Sequence, residues 1–213
     1  ISNNVITDSQ TGIKIRSNAD GNTITSNTIK DGLEGIGCSG SDNNTISGNT
    51  ITNNKPSNFG ISGGTSTGMS INTCNNNTIE NNQVTNNSVG IELQSNSITL
   101  TSNTVSNNDV KGIRVFGVGH ILTGNTVNNN GALSYGYGIG GGFILEANTE
   151  VTLTNNVAND NQDYGFYITG TGNTLSGNTA TGNLVKDFGG AGAPSFPPTV
   201  TVPSDITIAA STP

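Results

Sequence analysis

The chain has 213 residues, of which 31% are hydrophobic and 10% are charged, and it contains 30 Gly and no Trp. Its formal net charge of −7 excludes a nucleic-acid-binding surface, because binding a phosphate backbone requires clustered Lys and Arg. No run of roughly 18 apolar residues is present, so no transmembrane helix is predicted. The bulk composition is close to that of a disordered chain, and only its periodicity predicts a packed core.

A motif of the form apolar-x-x-Asn-x-apolar recurs from the first residues onward, mostly at intervals near 22 residues. Such a period is typical of stacked repeats that share one core. An Asn amide both donates and accepts, so identical Asn side chains at a turn can hydrogen-bond from one repeat to the next. The predicted structural ladder consists of Asn4, Asn27, Asn49, Asn82, Asn103, Asn125, Asn156 and Asn178.

A second landmark, Gly-apolar-x-apolar, follows the first seven Asn motifs, as in Gly90-Ile91-Glu92-Leu93. Alternating apolar and polar residues in short segments indicate strands with one buried face. Three short strands and three turns account for the length of each repeat, and each strand pairs with its counterpart one coil away. We therefore predict an all-β fold: a single-stranded right-handed parallel β-helix of about eight coils over residues 1–188, with a C-terminal extended tail.

Two repeats are longer than the others, and their insertions, residues 53–67 and 128–141, both fall between the Asn motif and the Gly strand. Both insertions are therefore expected to leave the same corner of the stack. Long loops on a rigid scaffold often carry function. We expect them either to wall a groove or to fold over the outer face, with three candidate ligand-binding aromatics: Phe59, Tyr135 and Tyr137.

The outward positions of the Gly-anchored strands carry the remaining candidates. Glu92 and Arg114 are predicted to be vertical neighbours and to pair, and Phe116, Ile144 and Tyr167 form an apolar outer stripe. A sugar ring could stack on this stripe, although we favour the interpretation that it is a salt bridge beside loop-covered residues. The candidate ligand-binding residues on this face are Glu92, Arg114, Phe116, Glu146 and Tyr167.

Enzyme and metal signatures are sparse. One His, one Met and two separated Cys do not form a soft-metal site, and no Asp-rich calcium loop is present. The sequence predicts no catalytic residue, no metal and no cofactor. His120 is interpreted as a structural residue at a turn, with no evident partner. Cys38 and Cys74 are interpreted as buried thiols, with a disulfide as the alternative.

The repeated Asn-Thr-Ile-x-x-Asn-x-Ile-x-x-Asn pattern with Gly-Ile-x-Leu resembles the parallel β-helix repeat of pectate-lyase-like proteins. It is most similar to the periplasmic copper-binding-type subgroup. Residues 189–198 are predicted to be a Gly/Pro linker. Residues 199–213 are similar to the start of a hyaline-repeat, immunoglobulin-like module, and a β-strand tail is the alternative.

We therefore expect a non-catalytic, extracellular segment of a cell-surface or matrix protein that acts as a structural spacer and adhesive surface. Its expected partners are a polysaccharide or cell-surface glycan, and further copies of the chain in a homo-oligomer or filament. The filament would assemble end to end or through the C-terminal strand. The alternative is a polysaccharide-active enzyme (lyase, hydrolase or epimerase) or a carbohydrate-binding module that uses the outer strand face.

Overall fold

The computed structural model describes residues 1–60, 66–131, 138–146 and 150–192. One 3-10 helix, Pro56–Phe59, lies at the start of the first insertion. The strands over the described residues are β1 (Val5–Thr7), β2 (Thr11–Arg16), β3 (Thr23–Thr25), β4 (Thr28–Lys30), β5 (Glu34–Ser39), β6 (Thr45–Ser47), β7 (Thr50–Thr52), β8 (Thr67–Asn72), β9 (Thr78–Glu80), β10 (Gln83–Thr85), β11 (Val89–Gln94), β12 (Thr99–Thr101), β13 (Thr104–Ser106), β14 (Lys111–Phe116), β15 (Ile121–Thr123), β16 (Thr126–Asn128), β17 (Gly141–Leu145), β18 (Thr152–Thr154), β19 (Val157–Asn159), β20 (Tyr164–Ile168), β21 (Thr174–Ser176), β22 (Thr179–Thr181) and β23 (Lys186–Gly189).

These strands form three parallel sheets, and every third strand along the chain belongs to the same sheet. Sheet 1 has the order β1-β4-β7-β10-β13-β16-β19-β22, sheet 2 the order β2-β5-β8-β11-β14-β17-β20-β23, and sheet 3 the order β3-β6-β9-β12-β15-β18-β21. The chain is thus a right-handed parallel β-solenoid of about eight coils, which confirms the predicted fold class. Both insertions leave the corner between sheet 1 and sheet 2, as predicted.

The core consists of aliphatic side chains stacked in register. Each three-residue strand of sheets 1 and 3 points its middle residue inward, and in sheet 3 these residues are Ile24, Ile46, Ile79, Leu100, Leu122, Leu153 and Leu175. Burying each such side chain contributes about 1.5–3 kcal/mol. Near the far end the core becomes aromatic, where the ring of Phe166 stacks between those of Phe143 and Phe188 at 4.7 and 5.0 Å.

The predicted Asn ladder lies at the turn between sheet 3 and sheet 1. In each step the Nδ2 of one Asn donates to the Oδ1 of the next at 2.9–3.0 Å, from Asn4 as far as Asn178. The same Oδ1 accepts the backbone N–H of the preceding ladder residue, as Asn125 Oδ1 does from Asn103 at 2.9 Å. One amide per coil therefore satisfies buried turn backbone and joins adjacent coils.

A second Asn ladder, absent from the sequence predictions, occupies the turn between sheet 1 and sheet 2. Its members are joined Nδ2 to Oδ1 at 2.9–3.3 Å, and they are Asn54, Asn87, Asn108, Asn130, Asn161 and Asn183. Each lies five residues after a member of the first ladder. Two corners of the solenoid are thus closed by the same chemistry.

The predicted boundaries at the C-terminus are only partly covered by the described residues. Strand β23 ends at Gly189, and the Gly192 N–H donates to the Ile168 carbonyl at 2.8 Å. Residues 193–213 lie outside the described residues. The predicted linker and tail therefore stay predictions.

The ladder generates a stability prediction. In Asn125→Ala the Asn103 N–H loses its buried acceptor, and the Leu100 carbonyl and the Asn156 Oδ1 each lose one hydrogen bond. A buried unpaired group costs about 1–3 kcal/mol and each lost hydrogen bond about 0.5–1.5 kcal/mol, so we expect the free energy of unfolding to fall by at least about 2 kcal/mol in urea titration. The control Asn129→Gly lies at an exposed turn with φ 57°, which Gly adopts readily, and should change stability by less than about 1 kcal/mol. Equal losses in the two variants would contradict the ladder's role.

Candidate functional site

The candidate site is on the outer face of sheet 2. Parallel register places Glu92 beside Arg114, Arg114 beside Ile144, and Ile144 beside Tyr167. The neighbouring outward column contains Asn72, Gln94 and Phe116. The sequence-predicted residues therefore lie on consecutive coils of one sheet, as their spacing indicated.

Arg114 lies between two carboxylates. Its Nη1 donates to Glu92 Oε1 at 3.0 Å, and its Nε donates to Glu146 Oε2 at 2.6 Å. The predicted Glu92–Arg114 pair is thus present, and Glu146 completes a clasp of three half-buried side chains. The guanidinium carbon also lies 4.4 Å from the centre of the Phe116 ring, in cation–π range. Together these contacts hold Arg114 and Phe116 in fixed positions.

The structure shows one member of the predicted outer stripe to be covered. Ile144 occupies the expected outward register position and its side chain is 0% exposed, which agrees with the favoured interpretation that residues of this face are covered. Its register neighbours are Arg114 and Tyr167. Tyr167 remains partly exposed, and its ring lies 5.0 Å from that of Tyr164. Phe116 and Tyr167 are therefore separate aromatic surfaces, roughly 10 Å apart along the stack.

An open cleft of about 540 Å³ lies where the strands of sheet 2 end, within the size range of small-ligand sites. Phe116 and Arg114 form one side of it. The cleft is lined by Thr73, Asn75, Gln94, Ser95, Asn96, Arg114, Phe116 and Gly117. Hydroxyl and amide groups around an aromatic ring suit a ligand with many hydroxyl groups and an apolar face.

Two amides in the cleft are held by backbone of the next coil. Asn75 Oδ1 accepts the Asn96 N–H at 3.0 Å, and Asn96 Oδ1 accepts the Val118 N–H at 3.0 Å. These bonds fix which end of each amide is the oxygen, since a backbone N–H must meet an acceptor. Within the described part of the chain, the two Nδ2 groups have no acceptor, and they are available to a ligand.

A buried lysine lies beside the clasp. Lys111 is only 4% exposed, and this burial lowers the pKa of its ammonium group, an effect that the Arg114 charge reinforces. Glu146, Glu92 and Asp163 act in the opposite direction. The charges of Arg114, Glu146, Glu92 and Asp163 therefore all act on the ammonium group of Lys111.

His120 has two partners, contrary to the sequence interpretation. Its side chain is fully buried, its Nδ1 accepts the Ile98 N–H at 3.2 Å, and its Nε2 lies 2.9 Å from the Phe116 carbonyl. The backbone N–H fixes Nδ1 as the acceptor and Nε2 as the protonated nitrogen. Nδ1 thereby replaces the Asn oxygen found elsewhere in this column, as at Asn44 and Asn77. The predicted structural role is consistent with this geometry.

The interpretation of two buried thiols is wrong, because Cys38 and Cys74 form a disulfide. The residues are 36 apart in sequence, yet their Cα atoms are 6.3 Å apart because they lie on adjacent coils. The first insertion lies between the two cysteines in the sequence, so their spacing does not indicate that they are on adjacent coils. The Cys74 N–H donates to Ser95 Oγ at 3.0 Å, which connects the disulfide to a residue that lines the cleft.

The insertions do not surround the cleft in the part that the structure describes. Residues 53–60 emerge where the strands of sheet 2 begin, whereas the cleft lies where they end. Lys55 Nζ holds this segment by an ion pair to Asp109 at 2.9 Å. The Phe59 side chain lies outside the described residues, as do Tyr135 and Tyr137, so their predicted ligand contacts stay predictions.

The described residues contain neither a cluster of metal ligands nor a membrane-spanning helix. Across residues 1–60, 66–131, 138–146 and 150–192, no three His, Cys, Asp or Glu side chains are grouped as metal ligands would be. In the same residues no helix has the length and apolar character needed to span a bilayer.

The stacked parallel coils and their polar ladders define the class of right-handed parallel β-helix proteins. The family model described as "Right handed beta helix region" matches residues 1–141, and the chain belongs to this family. No curated protein matches the chain. Among solved structures, the crystal structure of alginate lyase from Paenibacillus sp. str. FPU-7 is similar, with a TM-score of 0.50, 16% identity, and coverage of 85% of this chain and 76% of that chain. At this identity the similarity shows the fold alone.

The buried histidine generates a pH prediction. Burial lowers the pKa of His120 below its ordinary 6.5, although the Phe116 carbonyl opposes the shift. The unfolded chain therefore binds a proton first, so the His120 contribution to stability is complete above about pH 6.5 and is lost as pH falls through the folded pKa. The free energy of unfolding should decrease over that interval in urea titrations. His120→Asn keeps an acceptor for Ile98 without a titrating group and should remove this decrease. An unchanged pH profile in the variant would contradict the assignment.

Proposed function

We propose that this chain is a non-catalytic, extracellular β-helix segment that serves as a rigid spacer and binds carbohydrate in the cleft at the end of sheet 2. The supporting observation is the cleft itself, in which a fixed aromatic ring is bordered by amide and hydroxyl groups. Sugar rings present an apolar face to an aromatic ring and hydroxyl groups to donors and acceptors. Phe116 would provide the stacking surface, while Asn75 and Asn96 would donate hydrogen bonds from Nδ2.

The arrangement of carboxylates supports binding without catalysis. A glycoside hydrolase needs two carboxyl groups on opposite sides of the scissile bond, roughly 5–9.5 Å apart, with open space between them. Here the guanidinium of Arg114 occupies the space between Glu92 and Glu146 and bonds to both. A substrate could reach these carboxylates only after this clasp had opened.

An extracellular location is supported by the disulfide between Cys38 and Cys74, since such bonds persist in oxidising compartments. The spacer role is supported by the continuous stack of coils, in which each strand between the two ends of a sheet pairs with both of its neighbours along the axis. Assembly into filaments through the C-terminal strand concerns residues outside the described part of the chain and stays a prediction.

A polysaccharide-active enzyme is the second candidate, because one similar solved structure is an alginate lyase. The support is weak at 16% identity. Lyase activity would require a base close to a bound sugar, and among the described residues no Lys or His lines the cleft.

Binding is tested by titrating soluble polysaccharides, neutral and acidic, into the chain by calorimetry. We expect at least one to bind, and Phe116→Ala to weaken its Kd by about tenfold or more, which corresponds to about 1.4 kcal/mol. The control Ile121→Ala removes an apolar side chain that is more exposed than Phe116, at 48%, from sheet 3 and should leave the Kd unchanged.

The same mixtures are assayed for new reducing ends and for unsaturated products. We expect neither. Turnover that Arg114→Ala or Glu92→Gln abolishes would support the enzyme instead of the binding segment. Failure of every polysaccharide to bind would refute the carbohydrate role.

A further inference from the structure

We infer that the glycan taken by this cleft is uncharged, and that Glu92 and Glu146 are the residues that reject acidic polysaccharides. The inference rests on the proposed carbohydrate-binding function and specifies its ligand class. It follows from how the charges of the outer face of sheet 2 are paired.

The cation closest to the cleft is already neutralised. Arg114 makes two short bonds to carboxylates, 3.0 Å to Glu92 and 2.6 Å to Glu146, and the three side chains retain 31%, 17% and 30% exposure. Charge-assisted bonds of this length are among the stronger hydrogen bonds in proteins. A uronate carboxylate that approached Arg114 would lie close to Glu92 and Glu146, and their negative charges would repel it.

The wider surroundings add negative charge. The groups that interact with Lys111 on this face comprise one cation, Arg114, and three carboxylates, those of Glu92, Glu146 and Asp163. Two cations against three anions leave the set with one net negative charge at neutral pH. The whole chain carries −7, so its long-range field also repels a polyanion.

The rest of the lining is uncharged and suited to hydroxyl groups. Thr73, Asn75, Ser95 and Asn96, which line the cleft, carry only hydroxyls and amides. A guanidinium has five N–H donors, and the carboxylates engage two of them, so Arg114 keeps donors for sugar hydroxyls. Neutral hydroxyls can accept these bonds without bringing a charge into the cleft.

The test compares laminarin, mannan and xylan, which are neutral, with alginate and polygalacturonate at 20 and 200 mM NaCl by calorimetry. The wild-type chain should bind at least one neutral polysaccharide with little dependence on salt, and acidic ones at least about tenfold more weakly. In the double variant Glu92→Gln, Glu146→Gln, Arg114 is released from both carboxylates. This variant should gain at least about tenfold in affinity for alginate, and the gain should shrink at the higher salt concentration.

The control Glu80→Gln removes one carboxylate charge from sheet 3 and is matched to the single variant Glu146→Gln. It should not gain alginate binding. Circular dichroism and thermal melts establish that each variant is folded, and the single variant Glu146→Gln provides a milder change at the shortest bond.

The outcomes separate the two claims. Tighter wild-type binding of alginate than of every neutral polysaccharide would overturn the inference while leaving carbohydrate binding intact. A folded double variant with no gain for alginate would also overturn it. If no polysaccharide of either kind binds to the wild type or the variants, the proposed function itself is wrong.

Discussion

The structure depends on one constraint: every coil must satisfy its turn backbone without help from water, because the turns are packed against one another. With 31% hydrophobic residues the chain has little apolar surface to spare. Asn solves this problem by donating and accepting along the axis while also bonding to turn backbone. The first ladder does so from Asn4 to Asn178 and the second from Asn54 to Asn183, so two of the three corners are closed by amide columns.

The third corner is less regular, and the candidate site lies beside it. Its inner column contains Asn44 and Asn77, then Ile98 and His120, so an imidazole replaces an amide at one step. On the outside of the same corner, Asn75 and Asn96 line the cleft, and each accepts a backbone N–H from the next coil. The same amide chemistry thus joins coils inside and supplies candidate ligand-binding groups outside.

The fold and the first ladder could be predicted because both depend on the spacing of the Asn motif, which can be counted along the sequence. The second ladder was equally visible, since each member follows the first by five residues, but those Asn side chains resembled ordinary turn residues. Register along sheet 2 also followed from the spacing, which is why Glu92 and Arg114 were paired correctly.

What could not be predicted depends on contacts between coils and across insertions. Cys38 and Cys74 are separated in sequence by an insertion, so the number of residues between them does not show that they lie on adjacent coils. Ile144 faces outward in register but is covered, because register fixes direction and says nothing about what lies above a side chain. The partners of His120 come from the preceding coil and from its own turn, and a lone histidine gives no sign of either.

Buried Asn amides join successive coils, and side-chain amide exchange measured by NMR tests this most directly. Side-chain Nδ2 protons of Asn103, Asn125 and Asn156 should exchange with solvent at least about a hundredfold more slowly than those of the exposed Asn107 and Asn129. Equally fast exchange at all five residues would show that the columns are open to water and would contradict the account.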